Sequence, residues 1–105
     1  MKQGDLVLVP FPFTDLTGSK VRPALVLIPT LLDVTLAFVT TQLQWQEPSD
    51  LSLMPDRLNG LKKASLVRLS KLATIDSKLV EGRLGEISDK DLSKIHQNLR
   101  VLFQL

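Results

Sequence analysis

The chain has 105 residues, 44% of them apolar and 23% charged, and its 13 Lys and Arg against 11 Asp and Glu leave a formal net charge of +2. That length holds one domain, large enough to bury a stable core without cross-links, and a charge balance so small does not by itself announce a polyanionic partner. With no Cys and one His, disulfides and thiolate metal sites are excluded, a nitrogen and sulfur zinc site lacks ligands, and Cys–His or Ser–His nucleophilic catalysis is nearly closed.

Met1-Lys2-Gln3-Gly4-Asp5 shows no signal-peptide pattern and leads into Leu6-Val7-Leu8-Val9. This short apolar run, closed by Pro10-Phe11-Pro12-Phe13, predicts a buried strand that ends at the prolines. Thr14 to Lys20 is polar, contains Gly18, and reads as a long hairpin loop before a second strand over Pro23-Ala24-Leu25-Val26-Leu27-Ile28. Leu36-Ala37-Phe38-Val39-Thr40-Thr41 is a third β-rich run. Gln42 to Gly60 is mostly polar, punctuated by Pro48 and Pro55, with room for an edge strand around Leu51-Ser52-Leu53. Ser65-Leu66-Val67-Arg68-Leu69-Ser70 then alternates as a half-buried strand does.

From Ser88 the period changes. Leu92, Ile95, Leu99 and Leu102 recur at helical spacing, with Ser88 as N-cap and Asp91 at the capping-box position. No apolar run is long enough to span a membrane, and the absence of cysteine fits a reducing cytoplasm. The expected architecture is mainly β, one domain over residues 1–105, a small antiparallel barrel covered by a C-terminal helix.

With the usual nucleophiles and metal ligands gone, chemistry falls to Arg, Lys, Asp, Glu, Ser and Thr. The informative stretch is Gly18-Ser19-Lys20-Val21-Arg22-Pro23-Ala24-Leu25-Val26-Leu27, in which a Gly-containing loop delivers Lys20 and Arg22 to the mouth of an apolar strand. A guanidinium fork matches phosphate geometry, and one held by a following proline and strand loses less freedom on binding. From spacing alone, a solubilising arginine at a strand end is the simpler reading.

Resemblance changes that balance. Gly4 to Val9 followed by Phe11-Pro12-Phe13, and then Gly18 to Leu27, resembles the opening of the MazF/PemK family of toxin endoribonucleases in both order and spacing. Val39-Thr40-Thr41-Gln42 is similar to that family's third-strand motif; Gly60 to Arg68 and Leu72-Ala73-Thr74-Ile75-Asp76 resemble its later strand and turn. The resemblance implies an SH3-like barrel, usually a homodimer, that cuts single-stranded RNA without metal or cofactor and is neutralised by a cognate antitoxin. It places the catalytic arginine on Arg22 and the catalytic threonine on Thr40, two positions before Gln42, with Thr41 the alternative. Strand alternation would set Thr40 and Thr41 on opposite faces, so that one of them at most enters a given site. RNA contacts are expected from Phe13, Ser19, Lys20, Thr41, Gln42 and Lys63.

His96 sits on the helix beside Ile95 and outside the apolar stripe, which reads as a solvated flank. Trp45, in a polar stretch, reads either as a stacking surface or as an anchor for a barrel edge. Two other classes use such a barrel without cutting RNA: a poison that binds a protein target such as DNA gyrase, and an inactive RNA-binding module. The gyrase-directed family relies on an aromatic-bearing C-terminus, whereas this chain ends Leu102-Phe103-Gln104-Leu105 with its one Trp far upstream.

Overall fold

Continuous apolar runs such as Leu6 to Val9 and Leu25 to Ile28 send consecutive side chains to opposite faces, so a sheet made from them must be covered on both. The computed structural model describes residues 1–11 and 20–105, and of Phe11 only the backbone. It contains strands β1 (Asp5–Phe11), β2 (Lys20–Pro29), β3 (Asp33–Thr40), β4 (Leu51–Leu53), β5 (Ser65–Asp76) and β6 (Gly82–Glu86). A 3-10 turn at Ser77–Leu79 precedes β6, and helix α1 (Asp89–Phe103) follows it. The strands form one antiparallel sheet in the order β4-β5-β3-β2-β1-β6, curled into a half-barrel with the helix against it.

Alternation sorts the core into two clusters. Leu6, Leu25, Leu27, Ala37, Val39, Val67 and Leu69 face the helix, where Ile95 is fully buried and Leu92, Leu99 and Leu102 pack alongside. Their neighbours Val7, Val9, Ala24, Val26, Val34, Leu36 and Ile75 form a second cluster on the other face. The helix starts as expected, with Ser88 Oγ accepting from the Asp91 N–H at 3.1 Å, and it ends at Gln104 in the left-handed conformation, φ 59°. No described helix is long and apolar enough to cross a membrane.

Several boundaries differ from the sequence expectation. β2 begins at Lys20, because Lys20, Val21 and Arg22 pair with Phe11, Pro10 and Val9. Pro10 is tolerated inside β1 where β6, which pairs only as far as Leu8, leaves one side of that strand without a ladder. β3 starts earlier, at Asp33, and ends at Thr40, so Thr41 lies beyond the sheet. β5 does not stop at Ser70 but continues to Asp76, and the short edge strand β4 is present beside it. β6 was not foreseen: Gly82-Arg83-Leu84-Gly85-Glu86 has weak intrinsic strand preference. Its place is decided by tertiary fit, since a Cβ on Gly85 would lie 2.2 Å from the Leu58 carbonyl oxygen. There the loop after β4 meets the opposite edge of the sheet, and the Glu86 N–H donates to that same carbonyl at 3.0 Å. Buried Asn59 holds the loop in shape, its Nδ2 donating to the Met54 carbonyl at 2.8 Å and its Oδ1 accepting from the Leu61 N–H at 2.9 Å.

Candidate active site

Followed along each strand, the second apolar face runs out at one end of the sheet and polar side chains take over. Two-residue steps carry β2 from Val26 through Ala24 to Arg22, β3 from Leu36 through Phe38 to Thr40, and β5 from Ile75 through Ala73 to Lys71. Ala24 pairs with Phe38 at the end of the ladder between β2 and β3, and Arg22 and Thr40 each lie two residues beyond that pair on their own strands. Val9 pairs with Arg22 on the other side. These residues line an open cavity of about 380 Å³, with Val9, Ala24 and Phe38 beneath and Arg22, Thr40, Thr41, Gln42, Arg68 and Lys71 around it. The volume falls in the usual range for a small-ligand cleft.

The catalytic pair implied by the resemblance is therefore brought together. The expected separation of Thr40 and Thr41 onto opposite faces is corrected, because both line this cavity. Side-chain alternation holds only while the backbone stays in the ladder, and β3 ends at Thr40. The Gln42 N–H then donates to Thr40 Oγ1 at 3.1 Å, a turn that brings Thr41 and Gln42 over the cavity mouth.

Arg68 and Lys71 were not predicted. Three apart on a regular strand, they would face opposite sides. In the ladder between β3 and β5, however, Ala37 pairs with Leu72 and the next residue, Phe38, pairs with Arg68. Leu69, Ser70 and Lys71 are thus extra on β5, and this bulge turns both cations toward the cavity. The available sequence signal was the pair of cations at odd spacing in an otherwise apolar run.

Among the described residues the charge lining the cavity is one-sided, with cations and no carboxylate. Among the described residues Arg22 and Lys71 are in no ion pair; Arg68 has its Nε 3.2 Å from Asp50 Oδ2 and its Nη2 on Glu47. The remaining expected contacts lie elsewhere. Lys20 opens β2 opposite Phe11, and exposed Lys63 precedes β5, its carbonyl accepting from Ser65 Oγ at 2.9 Å; neither lines the cavity. Phe13 and Ser19 lie outside the described residues, as does the expected loop up to Ser19. His96 is on the solvated helix flank, with its Nε2 2.9 Å from Gln3 Oε1. Trp45 is 76% exposed, which rules against its role as an edge anchor.

Residues 2–103 match the family model of the PemK-like, MazF-like toxin of type II toxin-antitoxin systems. Among solved structures, the Mycobacterium tuberculosis toxin MazF-mt6 superposes with a TM-score of 0.79 at 20% identity, over 96% of this chain and 97% of that one. A MazE-MazF structure from Deinococcus radiodurans gives 0.75 at 24% identity, over 100% and 96% of the two chains. An endoribonuclease in complex with its cognate antitoxin, from a mycobacterial species, gives 0.79 at 17% identity, over 100% and 96%. A search of curated protein sequences found no match.

Proposed function

Since the chain belongs to the PemK-like, MazF-like toxin family of type II toxin-antitoxin systems, we propose that it is a metal-independent endoribonuclease acting on single-stranded RNA. The observation that carries this reading is that Arg22 and Thr40 line one open cavity whose lining, among the described residues, holds cations and no carboxylate. In the proposed reaction the ribose 2′-oxygen bonds to the adjacent phosphorus while the bond to the 5′-oxygen breaks. The products are a cyclic phosphate and a 5′-hydroxyl end. No protein nucleophile is needed, so the enzyme has to orient the chain, move protons and stabilise a crowded anionic phosphorus.

Arg22 supplies the electrostatic part. Its fork can donate two hydrogen bonds to the non-bridging oxygens, and its positive charge opposes the charge that builds up on them. Thr40 has a defined polarity: its Oγ1 already accepts from the Gln42 N–H, which leaves the hydroxyl proton to be donated to the phosphate or the 2′-oxygen. Thr41 and Gln42 contact nucleotides at the cavity mouth, Lys20 and Lys63 extend the RNA path beyond it, and the resemblance adds Phe13 and Ser19 as RNA contacts. A homodimer would place two such cavities along one channel, and a cognate acidic antitoxin would compete there for the same cations.

The test is incubation of purified protein with single-stranded RNA in excess EDTA. Cleavage with 5′-hydroxyl ends is expected. Strict dependence on magnesium with 5′-phosphate products would overturn the mechanism.

A further inference from the structure

The cavity holds more positive charge than a single phosphate requires, and its extra cations come from β5. Lys71 is exposed and makes no ion pair or side-chain hydrogen bond among the described residues. Arg68 is different, being held between two carboxylates in unlike settings. Its own side chain is 14% exposed; that of Asp50 is 0% exposed, and that of Glu47 is 44% exposed. Asp50 is fixed, its Oδ2 accepting from the Glu47 N–H at 2.8 Å, and it stands 3.2 Å from Arg68 Nε as a buried counter-charge, an ion pair without a hydrogen bond. Glu47, at the solvent edge, meets the outer nitrogen Nη2.

These two pairs differ in what they cost to break. A buried carboxylate deprived of its cation is strongly destabilised, whereas an ion pair whose carboxylate is open to solvent is weakened by screening and costs little to exchange. The Glu47 contact is therefore the one an incoming anion can displace, and Arg68 would stay anchored through Asp50 while its outer nitrogens turned to that anion. We propose that Arg68 and Lys71 form a second phosphate seat in this cavity, capped by Glu47 in the free protein, which holds an RNA phosphate next to the scissile one. This rests on the nuclease reading above, and it assigns to the β5 bulge the task of registering the RNA chain over Arg22 and Thr40.

Arg68→Ala would strand the buried Asp50 and could unfold the segment, so the test uses Lys71→Ala and Glu47→Gln. Binding is read by fluorescence anisotropy with a labelled single-stranded RNA of about twelve nucleotides, in an Arg22→Ala background that does not consume the probe. Lys71→Ala is expected to weaken binding about fivefold and to flatten the salt dependence by about 0.7 in log–log slope, the signature of one lost phosphate contact on a single strand. Glu47→Gln, which removes the competitor, is expected to tighten binding roughly threefold. In cleavage assays, a neutral methylphosphonate at one flanking position should raise KM and leave kcat unchanged, and it should add nothing further in Lys71→Ala. A merely structural role for Lys71 would not produce that pattern. If the Arg22→Ala protein binds RNA and both substitutions leave affinity and salt slope unchanged, this proposal alone is overturned. A wild type that neither binds nor cuts RNA overturns the nuclease reading, and this proposal with it.

Discussion

Two groups of charged side chains on this sheet have opposite characters. At the junction of β1 and β6, Lys2, Asp5, Arg83 and Glu86 neutralise one another: Asp5 Oδ1 lies 2.9 Å from Lys2 Nζ and 3.3 Å from Arg83 Nη2, and Glu86 forms ion pairs with both cations. Asp5 is buried, and its second oxygen accepts from the Lys2 N–H at 2.9 Å. At the cavity, Arg22 and Lys71 have no carboxylate partner among the described residues, and Arg68 has one that solvent can reach. Charges whose hydrogen bonds close on each other hold the fold together. Charges left open at the end of an apolar face are available to a ligand, so mutations in the two groups should separate stability from activity.

The largest effect is expected at Arg22. Arg22→Ala should lower the RNA cleavage rate on the order of a hundredfold or more while its thermal melt stays near that of the wild type, since the side chain is exposed and in no ion pair among the described residues. Arg22→Lys should recover only part of the rate, because a point charge cannot reproduce the bidentate fork. An alanine variant that cuts at the normal rate would move catalysis to another residue.

Next comes the threonine pair. Thr40→Ala removes both the proposed donor and the acceptor for the Gln42 N–H, and kcat should fall on the order of tenfold to a hundredfold. Thr41→Ala should act chiefly on KM, because Thr41 reaches the same cavity from beyond the end of β3. Steady-state kinetics on one RNA would expose a reversed order, which would exchange their roles.

In the closed group the expected loss is of stability. Burial pushes the Asp5 carboxyl up, but hydrogen bonds from the Lys2 ammonium, the Lys2 N–H and Arg83 outweigh it and hold the carboxyl below its ordinary range. A carboxyl lowered by folding stabilises the protein above its unfolded pKa of about 3.9 and loses that contribution as pH falls through the folded value. Asp5→Asn should therefore cost about 1–2 kcal/mol in denaturant unfolding at pH 7, with the gap to the wild type closing below about pH 4, and cleavage should be unaffected. A variant equally stable at neutral pH would mean that burial cancels the hydrogen bonds. The Lys2 ammonium is raised by its hydrogen bonds to Glu86 and Asp5, so its part of the network is fully present at neutral pH and is lost only in alkali.

The smallest effect is expected for Arg83→Ala, whose half-exposed pairs with Asp5 and Glu86 should contribute less than about 1 kcal/mol. A larger loss in the same unfolding assay would show that the network acts as a unit.

Much of the architecture was legible in the chain. The apolar runs from Leu6, Leu25 and Leu36 and the stripe of Leu92, Ile95, Leu99 and Leu102 determined three of the strands, the helix and a mainly β fold, because local periodicity reports which face each segment buries. Arg22 and Thr40 could be singled out by resemblance, for each lies in a contiguous motif. Strand β6 could not, since two glycines and two charges show no strand pattern; it exists because β1 and the Leu58 carbonyl accept its backbone and no side chain fits at Gly85. Nor could the cavity's full set of cations be read. Arg68 and Lys71 share a face through a bulge against Phe38, and a bulge is a property of two paired strands, which one strand's alternation does not encode. The same holds for Thr41, which left the alternating pattern when β3 lost its ladder after Thr40. Residue order along each strand was determined locally; which side chains meet at the end of the sheet was decided by register, and register depends on how the strands pair in three dimensions.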